Sequence, residues 1–239
     1  MKVDILAIGV HPDDIELSCS GTLLRHIDMG KQVALLDLTR RELGSRGTPE
    51  IRIAEAEKAR QLMGAVARVN AGFADGFFTH NDENLRTIIR VVRKFRPEII
   101  LMNAVQDRHP DHARAANLTK EACYLSGLRK IETSDENGKA QEHWRPKAMY
   151  HYIQDYHLDA DFVVEISEYM DKKIELIQTF ESQFFSEGMT GPQTPISSKG
   201  FLDYQKQRCA VYGRQAGFDY AEGFNVIRNL GVKDLFHLS

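Results

Sequence analysis

Three observations predict an α/β fold: a Rossmann-like, mostly parallel sheet with helices on both faces. Apolar runs of strand length punctuate the first half of the chain: Ile5-Leu6-Ala7-Ile8-Gly9-Val10, Val33-Ala34-Leu35-Leu36-Asp37-Leu38 and Ile99-Ile100-Leu101-Met102. One helix-length segment separates the first two, the spacing of a βαβ unit and hence of a parallel pair. The first and third runs each give way to a cluster of histidines and acids, His11-Pro12-Asp13-Asp14 and His109-Pro110-Asp111-His112. Proline cannot continue a strand ladder. Both clusters therefore sit where the chain leaves the sheet at the carboxyl ends of strands, the edge at which open α/β sheets bind ligands. The reading that uses both is two turns meeting around one divalent metal ion.

The 239 residues suffice for one large α/β domain, 1–239, and no linker divides them. Apolar residues are 42% and charged residues 27%, ordinary for a globular protein, and a net charge of −3 points to neither nucleic acid nor membrane. Cys19, Cys123 and Cys209 are too scattered for a disulfide framework or a CxxC zinc site, and fit buried thiols in a reducing cytoplasm. The chain opens with a strand rather than a basic segment and an apolar stretch, so no signal peptide is expected. No run approaches the ~20 apolar residues of a membrane helix.

Residues 15–29 read as a helix whose Ser18, Ser20 and Gly21 allow close packing on a sheet, with Gly30 as its stop. After the second strand, residues 39–49 are polar, glycine-punctuated and long for a βα loop. Arg40, Arg41 and Arg46 in this loop favour recognition of an oxygen-rich ligand. Thr48-Pro49 reads as an N-cap with proline at the first helical position, opening a helix that runs to Met63 and ends at Gly64. Arg52 in its first turn opposes the helix dipole, which hints at a local task. Residues 66–73 are a weaker strand. Leu85, Ile88, Ile89, Val92 and Phe95 share one face of an amphipathic helix that Pro97 closes, and Arg86, Arg90, Arg93 and Lys94 form a solvated face. Residues 111–128 are helical, with His112 in the first turn. Residues 132–141 form a surface loop, 147–154 and 161–166 two strands, and 168–180 a helix. Residues 188–200 read as an ordered or lid-like loop and 202–212 as a helix. The segment Ala221-Glu222-Gly223-Phe224 is assigned no element.

Catalytic zinc is commonly held by three protein ligands with water in the open position, and imidazole and carboxylate both suit it. The two clusters offer six candidates, His11, Asp13, Asp14, His109, Asp111 and His112, so some do other work. Hydrolysis needs a base for the attacking water and a cation or donor for the developing oxyanion. Either cluster alone also fits a polar capping turn; two of them, each after a strand-like run, favour the metal.

These features resemble one family. HPDD follows the first strand, a polar loop contains Gly44-Ser45-Arg46-Gly47 and leads into an Arg- and Glu-bearing helix, and HPDH comes later. Together they resemble the LmbE-like, or PIG-L-like, family of zinc-dependent N-acetylglucosamine deacetylases, over the first half of the chain. Glu42-Leu43-Gly44-Ser45-Arg46-Gly47-Thr48 and Tyr220-Ala221-Glu222-Gly223-Phe224 look like the branch that makes bacillithiol by removing acetate from N-acetylglucosaminyl-malate. The resemblance implies His11, Asp14 and His112 as zinc ligands, with iron, cobalt or manganese able to fill similar sites. It implies Asp13 as general base and His109 as a cation facing the tetrahedral intermediate. Asp111 would orient His109 and raise its pKa, and Arg52 and Arg108 would bind substrate. It also implies a cytoplasmic enzyme with a small-molecule N-acetylglucosaminide substrate, assembled as a homo-oligomer, trimer or hexamer.

Two other classes compete. A nucleotide-binding or methyl-transferring enzyme wants a Gly-rich turn after the first strand and an acid about twenty residues on; the HPDD turn lacks the glycines. A non-catalytic sugar-binding protein of the same fold has no need of Asp13 or His109, yet both are present. Within the family, malate, inositol or another sugar can follow the acetylglucosamine, and arginines at 40, 41, 46, 52 and 108 suit a dicarboxylate.

Overall fold

A computed structural model describes residues 1–185 and 191–237. Strand and helix alternate as expected through β1 (Ile5–Gly9), α1 (Asp14–Asp28), β2 (Val33–Thr39), α2 (Pro49–Met63), β3 (Ala67–Phe73), α3 (Asp82–Phe95), β4 (Ile99–Met102) and α4 (Pro110–Ser126). The remainder is β5 (Ala148–Tyr152), β6 (Phe162–Glu165), α5 (Met170–Gln178), α6 (Phe201–Ala216) and β7 (Ala221–Val226). Among the described residues seven strands form one sheet in the order β3-β2-β1-β4-β5-β7-β6. β1 to β5 are parallel, and β7 pairs antiparallel with β5 and β6.

Both faces of the central strands are covered, which is why β1 and β2 read as unbroken apolar runs. Leu6, Ile8, Leu36 and Met102 pack with Ile88 and Val92 of α3 and Leu118 of α4. Ala7, Leu35 and Leu101 face the other way, onto Cys19 and Leu23 of α1, Ala59 of α2 and Leu176 of α5. From β1 the chain winds outward to β3, then crosses back to β4 on β1's other side. The carboxyl ends of β1 and β4 therefore flank the switch point, where the helices that follow diverge to opposite faces and leave a crevice. The start and stop of α2 are those the sequence predicts. Thr48 accepts from the Ile51 N–H at 3.3 Å, Pro49 opens the helix, and Gly64 ends it at φ 85.

Two segments depart from expectation. Residues 221–224 belong to a full strand, β7, buried at its first four positions. A charge and a glycine in mid-strand hide it from periodicity, and Glu222 is drawn inward by a buried ion pair. Its carboxylate accepts from the N–H groups of Gly21 (3.0 Å) and Thr22 (2.7 Å) within α1, and from Lys173 Nζ (2.7 Å). Lys173 Nζ also donates to the carbonyls of Glu16 (3.1 Å) and Leu17 (2.8 Å), about one turn earlier in the same helix. A side-chain pair is thus wedged against the hydrogen-bond ladder of α1. Gly21 also lets Ile166 pack against the helix: a Cβ there would meet the Ile166 side chain at 2.8 Å. In the loop expected at 188–200, residues 188–190 lie outside the described residues. From 191 the chain carries a 3₁₀ turn, Pro195–Ser197, before which the Thr194 N–H donates to Ser197 Oγ at 2.8 Å. Among the described residues no helix is long and apolar enough to cross a membrane, and all three cysteines are free and buried.

The side chains of Lys173 and Glu222 are 0% and 2% exposed, so removing one partner strands the other's charge, at a cost of about 3–5 kcal/mol. Lys173→Met is expected to lower unfolding stability by that order, and adding Glu222→Gln, which keeps an acceptor for α1, to restore part of it. Urea unfolding of the single and double variants checks this; strictly additive losses would show that the two residues are not coupled.

Candidate metal centre and active site

The first turn is held from three sides. Gly9 ends β1 where a Cβ would stand 3.1 Å from Asp14 Cβ, so glycine lets α1 start close against the strand. The Thr39 N–H and hydroxyl both donate to the Val10 carbonyl, each at 2.9 Å. Asp13 then sits at φ 126, a strained conformation for a residue with a side chain. Arg52 secures it, with a guanidinium nitrogen 2.9 Å from Asp13 Oδ2 and a hydrogen bond to the Pro12 carbonyl. Arg52 is 1% exposed, lies over the Phe180 ring at 5.4 Å, and does not line the cleft described below. Its charge, misplaced for the α2 dipole, pairs with Asp13.

Asp14 links the two turns. Its Oδ2 accepts from the N–H groups of Val10 and His11, both at 3.0 Å, and from Asn103 Nδ2 at 2.9 Å, just beyond β4. Its Oδ1 lies 3.3 Å from His112 Nε2, and its Oδ2 lies 3.8 Å from His11 Nδ1. His112 is turned this way because its Nδ1 is hydrogen-bonded to the Asp107 carboxylate. His11 Nε2 lies 3.2 Å from Asp75 Oδ1 and 3.5 Å from Asp111 Oδ2. The trio His11, Asp14 and His112, expected as ligands, thus converges, buried, at the switch point. His109 stands beside it: its ring nitrogen and those of His11 and His112 lie within 4.8 Å of one another.

The donor set fits a divalent cation. Two ligands on a tetrahedral ion with ~2.1 Å bonds are about 3.4 Å apart, close to the separations around Asp14. The electrostatics agree. Burial opposes the His11 charge, but the carboxylates of Asp111, Asp14 and Asp75 outweigh it and push the pKa up to about 10. Burial likewise opposes a charge on His112, and Asp14 and Asp107 raise its pKa. Burial would raise Asp14, yet His112 and His11 hold it well below the usual carboxylate range. The cluster attracts positive charge, and a metal ion would take the place of those protons.

His109 departs from expectation. Burial, then the charges of His11 and Arg41, push its pKa down to about 4, so it is neutral near pH 7. The Asp111 carboxylate raises that pKa but is outweighed, and makes no hydrogen bond to the ring: it accepts from the Gly76 N–H (2.9 Å) and from Arg114 (2.8 Å). Asp111 meets His109 through its backbone, whose N–H donates to His109 Nδ1 at 3.2 Å. The charge near His109 belongs to Arg41, which brings one guanidinium nitrogen 3.0 Å from His109 Nε2 and 2.8 Å from His11 Nε2. Arg46, by contrast, is tied to the carbonyls of Ser182 (3.0 Å) and Pro192 (2.7 Å). Of the arginines at 40, 41 and 46, only Arg41 lines the cleft. That cleft runs from the two turns to α6 and opens to solvent. Arg108 stands in its wall, paired with Asp155 at 2.7 Å.

The sequence reading missed Asp107, Asn103 and Asp75. Asp75 had a signal: it is an acid directly after the third strand, at the same sheet edge. Asp107 and Asn103 lie between the third apolar run and its flagged cluster, where the cluster drew the attention.

The family profile described as PIG-L, GlcNAc-PI de-N-acetylase, matches residues 6–123. The diacetylchitobiose deacetylase of Thermococcus kodakarensis is 29% identical over 237 residues, covering 93% of this chain and 82% of that protein. The uncharacterized deacetylase YaiS of Escherichia coli is 33% identical over 125 residues, covering 50% of this chain and 67% of that protein. The crystal structure of a conserved Thermus thermophilus protein, TT1542, superposes with a TM-score of 0.84 at 33% identity, covering 97% of this chain and 98% of that one.

Because Asp107 orients His112, Asp107→Ala is expected to weaken zinc binding about 10–100-fold. Competition against a fluorescent chelator measures it, and unchanged affinity would show that the Asp107 contact does not prepare a ligand.

Proposed function

This chain belongs to the PIG-L/LmbE-like family of deacetylases, and we propose that it is a zinc-dependent N-deacetylase that removes acetate from N-acetyl-α-D-glucosaminyl L-malate in bacillithiol biosynthesis. What carries the reading is the buried meeting of His11, Asp14 and His112 beside Asp13, in a cleft also lined by Arg41 and Arg108. Cations in the wall suit an acid-bearing conjugate better than a neutral one.

His11, Asp14 and His112 would hold the zinc ion, which when bound acidifies water and polarises the acetamide carbonyl. Asp13, kept in place by Arg52, accepts a proton from the attacking water as its oxygen adds to the acetamide carbon. His109 accepts the Asp111 N–H at Nδ1 and faces the donor-only Arg41 guanidinium at Nε2, so it holds Arg41 beside the reacting carbonyl, where a guanidinium N–H meets the oxyanion. Arg41 adds the positive charge. Asp13 then passes its proton to the sugar nitrogen, the C–N bond breaks, and acetate and the free amine leave.

The test compares N-acetylglucosaminyl-malate, N-acetylglucosaminyl-inositol and free N-acetylglucosamine as substrates. A strong preference for the malate conjugate is expected; a preference for either of the others removes the bacillithiol assignment. In the same assay Asp13→Asn should lower kcat by about 10²–10⁴-fold while the zinc content stays unchanged, and near-normal turnover would take the base role from Asp13.

A further inference from the structure

The cleft has a second wall, from α6 and the turn after β5, that the mechanism leaves unused. It presents Gln154, Gln205, Arg208 and, from α1, Ser18. The other cleft-lining arginines each have an acid nearby: Asp75 lies 3.8 Å from Arg41, and Asp155 lies 2.7 Å from Arg108. Arg208 has no carboxylate partner among the described residues; it donates to the Ile153 carbonyl and lies against the Tyr212 hydroxyl. Gln205 is buried at 3% exposure, and its amide has no hydrogen-bond partner among the described residues. Gln154 Oε1 already accepts from Asn103 (3.0 Å) and the Ala104 N–H (3.1 Å), which leaves its NH₂ group to the cleft. The buried Ser18 hydroxyl also lacks a partner.

We propose that Arg208, with Gln205, Gln154 and Ser18, forms a carboxylate-binding subsite that receives the acid-bearing aglycone of the substrate. Native walls seldom leave a buried hydroxyl such as that of Ser18 unpaired. A guanidinium without a counter-ion is the planar fork that a carboxylate fills. The amides of Gln154 and Gln205 and the Ser18 hydroxyl would meet the remaining carboxylate and hydroxyl oxygens. The acetamide end then lies at the His/Asp cluster and the acid end against α6, and Arg208 becomes a specificity-determining residue. The assignment rests on the proposed reading of the cleft as a glycoside deacetylase site.

The test titrates L-malate into the zinc-loaded full chain by calorimetry. It also compares kcat/KM for N-acetylglucosaminyl-malate with that for methyl N-acetylglucosaminide, which carries no acid. Arg208→Gln is expected to weaken L-malate binding about 10–100-fold, the cost of a lost charge-assisted hydrogen bond, and to lower the malate-to-methyl ratio by a similar factor, mainly through KM. Arg208→Lys should restore part of both. Gln205→Met is a second, independent variant and should shift binding in the same direction. Equal L-malate affinity in wild type and Arg208→Gln, no L-malate binding to wild type, or an unchanged ratio overturns the subsite even where acetate is released. If no N-acetylglucosaminide is turned over but L-malate binding still depends on Arg208, the subsite stands and the substrate reading falls.

Discussion

Parallel pairing of β1 with β4, with Ile8 beside Met102, decides where every functional group in this protein can be. Two strands that end together at a switch point release their chains to opposite faces, and neither chain can fill the gap between. Here α1 packs in one apolar layer and α4 in the other, so HPDD and HPDH face each other across the gap. The Asn103 side chain then joins the turns by donating to Asp14 at 2.9 Å.

Behind that gap lies a floor of buried charge. Arg52 holds Asp13, and Arg68 grips Asp37 at 2.7 Å and Glu16 at 2.6 Å. Both guanidinium groups rest on one ring, Phe180, at 5.4 and 5.9 Å. Desolvation largely cancels the gain from such pairs, so their net contribution to stability is small. What they supply is position. Asp13 at φ 126 is held by Arg52 through its carboxylate and the neighbouring Pro12 carbonyl, and by the Leu17 N–H through its own carbonyl. Lys173 and Glu222 do similar work at the far side of α1, tying β7 and α5 to the helix that carries Asp14.

The same balance explains the split between the histidines. His11 and His112 each have carboxylates on their ring nitrogens and draw positive charge. His109 faces Arg41 and the charged His11 and sheds it. Three imidazoles of nearly equal sequence context thus take two different states, set by which charges the fold puts beside them.

The amino-acid sequence by itself determined the alternation of β1 to α4, the caps of α2, and the placing of both clusters at strand ends, because burial on both faces, Pro49 and Gly64 leave local marks. Histidine and acid beside a strand end are a chemical signature in themselves, and they offered six candidate ligands; the choice of His11, Asp14 and His112 among them came from the family resemblance. It did not mark β7, whose Glu222 and Gly223 look wrong for a strand until Lys173 and α1 are brought to them. Nor did it separate Arg52 from Arg41: in sequence both are cations near a glycine-rich loop, while in space one is sealed beneath Asp13 and the other reaches His109. Asp75 and Asp107 became partners of His11 and His112 only through contacts made by the folded chain. Periodicity and caps are written within a few residues of themselves. A charge's role depends on what lies within a few ångströms, and only the tertiary structure decides that.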